Sequence, residues 1–184
     1  MNSAIIIGCT RYDDPDIAHL RYADRDADQF AGALISHCGF QRSEIEILVD
    51  GPGTPSVWPT RANVLRSLSK GKKLQNRSIN CLVVYFSGHG FHSSRDQKEY
   101  LAPQDAVMSS LEESSLAIEA VMNLLKQYNA KQILVYLDAC RAAQSGGKDV
   151  ILECWDPLNL EAIAPDGIAI FHSCKPHQKL TSPP

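Results

Sequence analysis

One histidine in the sequence is flanked by two glycines, in Ser87-Gly88-His89-Gly90, and directly follows an apolar run that ends at Phe86. Glycines on both sides leave the backbone open to close approach by another group. A substrate carbonyl is one such group, because the amide of Gly90 could donate to a developing oxyanion beside the imidazole. The alternative is a structural histidine packed at a tight turn. For this motif alone, both interpretations stay open.

A cysteine, Cys140, lies 51 positions after His89 and follows a second apolar run at residues 133–137. If the two runs form neighbouring parallel strands, both side chains reach the same edge of the sheet. Imidazole can then take the thiol proton, or hold the thiolate as an ion pair, and so activate a thiol with an ordinary pKa of roughly 8.5. The amide of Cys140 would be a second oxyanion donor. The spacing therefore predicts a His89–Cys140 dyad, against the alternative of two unrelated residues.

The elements that must position this dyad alternate between strands and helices. Apolar β-branched runs predict five buried strands, at residues 4–7, 45–49, 81–86, 133–137 and 168–171. Apolar residues at spacings of three and four predict three helices, over 23–34 and ending near Gly39, over 61–74 with Thr60 as N-cap, and over 116–125 with Ser114 or Ser115 as N-cap. This alternation indicates an α/β fold with a mainly parallel sheet and helices on both faces. Residues 50–59 and 142–165 are predicted loops.

Composition excludes several classes of protein. The 184 residues are 44% hydrophobic and 21% charged with a net charge of −3, which is typical of one soluble globular domain. The sequence pI is near 6.0 and no dense Lys/Arg block is present, so we predict no nucleic-acid partner. There is no apolar run of roughly 20 residues and no secretory signal at the start, so we predict a cytoplasmic protein without a membrane partner.

Metal and cofactor sites are not indicated. The six cysteines include no closely spaced pair, and His89 and His92 have no further ligand to complete a set, so we predict no metal site. The acidic cluster Asp13, Asp14 and Asp16 could bind calcium, yet it lacks the regular ligand spacing of an EF-hand. A solvated turn is the favoured interpretation. We therefore predict that no cofactor is required, and calcium activation stays open.

Together, Ser87-Gly88-His89-Gly90 and Asp138-Ala139-Cys140-Arg141 resemble the catalytic pair of the caspase-like cysteine peptidases, which include caspases, metacaspases, paracaspases and prokaryotic relatives. Segments 4–8, 20–27 and 100–105 are similar to bacterial domains of this group, and the resemblance covers residues 1–175. It implies a caspase-like three-layer α/β/α sandwich. It also implies that His89 is the general base, that Cys140 is the nucleophile, and that the amides of Gly90 and Cys140 hold the oxyanion.

Two acids carry the specificity that the resemblance implies. Asp138 stands where caspases have a glutamine, and metacaspases and paracaspases have an acid there. Asp26 matches the second S1 acid of the metacaspases, although Ala23 stands where they have a cysteine. Carboxylates lining an S1 pocket pair with Arg or Lys and repel Asp, so cleavage after a basic residue is expected. The alternatives are an exposed helix carboxylate at Asp26 and an acid capping a turn at Asp138.

The resemblance thus implies a cysteine endopeptidase acting on protein or peptide substrates, in regulated proteolysis, cell death or antiphage defence, under an upstream activator or protease. One alternative is a regulated zymogen or a caspase-like interaction module; another is a different thiol hydrolase or ligase. Because domains of this kind usually continue past the fifth strand, residues 176–184 are expected to be a tail truncated from a longer chain. Otherwise another element completes the S1 pocket.

Overall fold

Two long apolar strands form the centre of the structure, a computed structural model that describes residues 1–50, 57–74, 76–141 and 167–173. Strand β3 spans Ile79–Ser93 and strand β6 spans Ala130–Arg141, and the two pair in parallel. Shorter strands extend the sheet: β1 (Ser3–Gly8), β2 (Ile45–Val49), β4 (Lys98–Leu101), β5 (Leu116–Ala117) and β7 (Ile168–His172).

The sheet is mainly parallel, which confirms the prediction. Strand β1 lies between β2 and β3, strand β6 lies between β3 and β7, and these five strands run in the same direction. Two short strands that the sequence analysis missed, β4 and β5, add an antiparallel edge: β4 pairs with the last residues of β3, and β5 pairs with β4. The sheet therefore has seven strands among the described residues where five were predicted.

Helices cover both faces of the sheet: α1 (Ala23–His37), α2 (Arg61–Leu68), α3 (Leu111–Ser114) and α4 (Ile118–Leu125). Alternate residues of the central strands face opposite ways, and each face has its own core. On one face, α1 packs through Ala27, Ala31 and Leu34 on Ala4, Ile6, Val83 and Tyr85. On the other face, α2 and α4 pack through Val64, Leu68, Val121 and Met122 on Ile5, Ile7, Leu82 and Val84. The predicted three-layer sandwich is confirmed.

Two predicted helices differ from the observed ones at their ends. Helix α2 stops at Leu68 and continues as a 3-10 helix over Ser69–Leu74, while the predicted N-cap is correct, because the Thr60 hydroxyl accepts from the amide of Asn63. The start predicted for the third helix is wrong. Leu116 lies in β5, and α4 begins only at Ile118; Ser114 instead donates to the carbonyl of Ser110 at 2.8 Å. Its hydroxyl therefore closes the short helix before β5.

The predicted ends of the two central strands are also wrong. Strand β3 continues through His89 to Ser93, and β6 continues through Cys140 to Arg141, so both residues lie inside regular strands. The tight turn considered for the glycine–histidine motif is absent. Beyond its apolar run, β3 pairs with β4 and β6. A local sequence pattern does not show these partner strands. The predicted loop 142–165 and the tail 176–184 lie outside the described residues, and of the loop 50–59 the structure describes residues 50 and 57–59.

A prediction concerns the contact between β1 and α1. A Cβ atom at Gly8 would lie 2.4 Å from the carbonyl oxygen of Ala23 and 2.9 Å from the Cβ of Ala27. Because backbone cannot yield as a flexible side chain does, we expect Gly8→Ala to lower the free energy of unfolding by about 1–3 kcal/mol in urea denaturation. Gly32, exposed in the same helix, is the control, because a Cβ atom added there would have no neighbour within 4 Å. Gly32→Ala should stabilise by roughly 0.5–1 kcal/mol, and equal effects at both positions would contradict the close packing.

Candidate active site

The register of the central strands places the two residues of the predicted dyad side by side. His89 is the direct partner of Cys140, and Ser87 is the direct partner of Asp138. Neighbouring strands lie about 4.8 Å apart, so the two backbones are as close as a sheet allows. Residues 51 positions apart in the chain are therefore adjacent in space. Gly90, the predicted oxyanion donor, follows with Leu101 and Arg141 as its partners.

The imidazole of His89 is fixed in one orientation. The residue is only 2% exposed, and its Nε2 lies 2.7 Å from the carbonyl oxygen of Ala18. A carbonyl can only accept, so Nε2 carries the proton of this hydrogen bond. In the neutral ring the lone pair that can accept a proton is therefore on Nδ1.

The loop between β1 and α1 supplies a second contact to the histidine. The backbone N–H of His89 donates to the phenol oxygen of Tyr12 at 2.8 Å, and the two rings lie 4.9 Å apart. A Cβ atom at Gly88 would lie 2.7 Å from the ring of Phe86 and 3.2 Å from that phenol oxygen. The close approach inferred from the glycine motif is thus real, but at Gly88 the approaching groups belong to the protein itself.

The two predicted specificity acids come together on the α1 face of the sheet. Asp138 lies on β6 and Asp26 lies in the first turn of α1. Burial raises the pKa of the Asp26 carboxyl above its usual value, and the negative charges of Asp138 and Asp24 raise it further. Asp138 and Asp26 are therefore close enough to repel each other when both are ionised. Such a pair attracts a cation.

A tyrosine lies beside the acidic pair. The phenol of Tyr85 donates to Oδ2 of Asp138 over a long contact of 3.5 Å, and its ring stacks on Phe30 at 4.3 Å. Burial raises the pKa of Tyr85 far above its usual value, and the charges of Asp138 and Asp26 act in the same direction. The phenol therefore stays neutral and remains a hydrogen-bond donor near the carboxylates.

The structure gives the other candidate groups structural partners. Among the described residues, no three His, Cys, Asp or Glu side chains come together as a metal site. Nδ1 of His92 lies 2.9 Å from a buried carboxylate oxygen of Glu99, a partner that the sequence analysis did not identify. Asp14 accepts from the amides of Asp16 and Met108. The acidic turn is thus held by backbone amides of its own loop and of a neighbouring segment.

Three groups at the candidate site were missed by the sequence analysis: Tyr12 and the carbonyl of Ala18, which contact His89, and Tyr85, which contacts Asp138. A backbone carbonyl has no sequence signal, because every residue has one. Tyr12 lies 77 positions before His89, and nothing in its local pattern distinguishes it from a core aromatic residue. Tyr85 stands inside an apolar strand, a pattern that predicts a core residue, which is correct for its ring but not for its hydroxyl.

A parallel sheet between two helical layers, with a histidine and a cysteine in register on its central strands, defines a caspase-like cysteine peptidase domain. A family model described as the caspase domain of the C14 peptidases matches residues 1–182, and the chain belongs to this family. Its sequence is 31% identical to Metacaspase-1 of Scheffersomyces stipitis and 32% identical to Metacaspase-1B of Aspergillus oryzae, in each case over 87 residues, or 47% of the chain. The chain spans about a fifth of the length of these curated relatives, 21% and 20% respectively.

Solved structures share the fold at low sequence identity. The protein GSU0716 from Geobacter sulfurreducens matches with a TM-score of 0.56 and 19% identity, over 76% of this chain and 50% of that one. The structure of pro-sf-caspase-1 matches with a TM-score of 0.55 and 12% identity, over 95% of this chain and 61% of that one. The likeness to the pro-caspase supports the caspase-like sandwich. Within the part of the chain that the structure describes, there is no helix of the length and apolar character needed to cross a bilayer.

A prediction follows from the raised pKa of Asp26. The folded chain retains the proton of this carboxyl at pH values where the unfolded chain has already lost it, so stability falls as the pH rises through that window. We expect Asp26→Asn to raise the melting temperature at pH 7, and we expect the gain to shrink as the pH falls through the raised pKa towards the ordinary value of 3.8. Calorimetry of the wild type and the variant at several pH values in this range measures the difference in melting temperature. A gain that is independent of pH would contradict the electrostatic cause.

Proposed function

We propose that this domain is a cysteine endopeptidase that cleaves proteins after a basic residue, with His89 and Cys140 as its catalytic dyad. The observation that carries the proposal is the direct register of these two residues on neighbouring strands, combined with the hydrogen bond from His89 Nε2 to Ala18. That bond supports Nδ1 as the nitrogen that accepts the proton. Membership of the caspase domain family supports the same chemistry.

In the proposed reaction, Nδ1 of His89 takes the thiol proton of Cys140. The sulfur then attacks the scissile carbonyl carbon, and the oxyanion forms as the carbon–oxygen double bond opens. The imidazolium donates its proton to the departing amine, the carbon–nitrogen bond breaks, and an acyl-enzyme remains. Water, deprotonated by the same imidazole, adds to the acyl group and the carbon–sulfur bond breaks. The thiol and the neutral imidazole are both restored, so the cycle consumes only the peptide and one water.

The amides of Gly90 and Cys140 are the proposed oxyanion donors. Cys140 on β6 is the register partner of His89 on β3, and Gly90 is the residue after His89. The two amides are therefore offset by one residue along the paired strands. The N–H of His89 faces β4, and the carbonyl of Leu137 faces β7, so by strand alternation the amides of Gly90 and Cys140 both face the β3–β6 pairing. The proposed reaction therefore requires these two amides to turn from the strand pairing to the substrate oxygen when charge develops on it. Removal of one such donor costs an enzyme on the order of 100-fold or more in kcat.

The acidic pair supports a basic P1 residue. Asp26 and Asp138 come from different layers of the fold and meet on the same side of β3 as Tyr85. A guanidinium or ammonium group placed between them would relieve the repulsion that raises the pKa of Asp26. A P1 aspartate would add a third negative charge. The electrostatics therefore favour a P1 Arg or Lys beside this acidic pair and disfavour a P1 aspartate.

The nucleophile is tested with a fluorogenic Arg peptide. We expect the wild-type chain to hydrolyse it and Cys140→Ala to lose hydrolysis at least about 1,000-fold, because the acyl-enzyme can no longer form. The assay is run with and without calcium, which decides whether this ion activates the domain. Activity that survives in Cys140→Ala would overturn the proposed chemistry.

The specificity is tested by replacing one acid. We expect Asp138→Asn to lower kcat/KM for Arg and Lys peptides by about 30- to 1,000-fold, the range for loss of one partner of a buried charge pair, which corresponds to roughly 2–4 kcal/mol. Asp28→Asn, on the exposed side of the same helix as Asp26, is the control and should change kcat/KM less than twofold. A panel in which the wild type cleaves after Asp but not after Arg would contradict the basic specificity.

The biological setting forms the wider part of the proposal. We propose a cytoplasmic enzyme of regulated proteolysis, cell death or antiphage defence that is switched on by an upstream activator or protease. The alternative is a zymogen or an interaction module with little activity of its own. Absence of hydrolysis until the chain is cut would identify the zymogen.

A further inference from the structure

The backbone amide of His89 lies where β3 changes its neighbour. On this side of the strand, β1 is the partner as far as the pair Gly8–Ser87, and β4 takes over from the pair Gly90–Leu101. The amide of Ala102 donates to the carbonyl of His89 at the start of the new pairing. The N–H of His89 therefore falls in the gap between two partner strands, where a buried donor still needs an acceptor.

Tyr12 fills this gap from the loop between β1 and α1. Its side chain is buried, with 3% of the residue exposed, and its phenol oxygen accepts the N–H of His89 at 2.8 Å. Its ring also packs against the imidazole, with 4.9 Å between centroids and 33° between planes. Gly88 leaves the space that admits the phenol oxygen, because a Cβ there would lie 3.2 Å from it. One side chain thus contacts both the backbone and the ring of the proposed base.

The loop that carries Tyr12 is fastened to the rest of the domain. The amide of Tyr12 donates to Nδ1 of His19 at 3.1 Å, and the amide of Asp13 donates to the carbonyl of Gln104 at 2.9 Å. The side chain of Gln104 donates in turn to the carboxylate of Asp13 at 3.1 Å. These bonds join the loop to the segment that follows β4. Tyr12 is therefore held by contacts that do not involve His89, so it can restrict the position of the histidine.

We propose that Tyr12 is a positioning residue for His89. The inference rests on the proposed function, and it assigns to Tyr12 no contact with substrate. The Ala18 carbonyl fixes one nitrogen of the ring, while Tyr12 fixes the plane of the ring and the backbone from which it projects. Together they hold Nδ1 at one position relative to β6. Proton transfer from a thiol requires such placement, because a displacement of about 1 Å can cost an enzyme 100-fold in rate.

Tyr12→Phe tests this role, since it keeps the ring and removes the acceptor of the His89 amide. We expect kcat for an Arg peptide to fall about 10- to 100-fold while KM changes less than twofold, because the substrate pocket is untouched. We also expect the pH profile of Cys140 alkylation by iodoacetamide to move to higher pH, because a displaced imidazole stabilises the thiolate less well. A purely structural role would not move that profile.

Tyr128→Phe is the matched control. Tyr128 is also buried and donates its phenol proton to the carbonyl of Ser67 at 3.0 Å, close to the start of β3 and far from His89. Both variants lose the hydrogen bonds of one buried phenol, so both should lower the melting temperature by a few degrees. Only Tyr12→Phe should change kcat and the alkylation profile. Equal effects of the two variants, or an unchanged profile in Tyr12→Phe, overturn the proposal.

The positioning role and the proposed function fail in different ways. If the wild-type chain hydrolyses no basic peptide and His89→Ala leaves Cys140 alkylation unchanged, there is no dyad and the proposed function is overturned. If wild-type hydrolysis is intact in Tyr12→Phe, only the role of Tyr12 is overturned. The alkylation profile needs no substrate, so it tests Tyr12 in an inactive zymogen as well.

Discussion

The parallel pairing of β3 with β6 is the constraint on which the site depends. It runs without interruption from Cys81 and Gln132 to Gly90 and Arg141, and it places His89 opposite Cys140. A shift by one residue would turn every side chain of one strand to the other face, exchanging its two cores. The buried apolar residues on both faces therefore hold the register that brings the dyad together. The same contacts stabilise the core and place the residues of the proposed dyad side by side.

Polar groups at the carboxyl end of this pairing work against the stability of the fold. Burial and the charge of Asp138 both disfavour ionised Asp26, and the buried His89 needs partners for its ring and its backbone. A domain selected for stability alone would place apolar residues at these positions. Paired carboxylates that repel each other are characteristic of sites where a cation binds, which links the electrostatic cost to the proposed specificity.

The loop between β1 and α1 is the second element that positions the candidate site. The site combines this loop, the last part of β3 and the last part of β6, three segments that are far apart in the chain. The loop contributes a carbonyl from Ala18 and a phenol from Tyr12, and it is fastened in turn to the segment after β4. Strand pairing thus sets which residues meet, while the loop sets how the histidine is oriented once they do.

The amino-acid pattern by itself determined the alternation of strands and helices, the parallel sheet, the family resemblance and the candidates His89, Cys140, Asp26 and Asp138, because local periodicity and short motifs record burial and chemistry. Only the tertiary structure decided where β3 and β6 end, since partner strands supply the hydrogen bonds that carry both past their apolar runs. It also decided the contacts that Tyr12 and the Ala18 carbonyl make with His89. Contacts between distant segments, and contacts made by backbone atoms, produce no pattern in the local sequence.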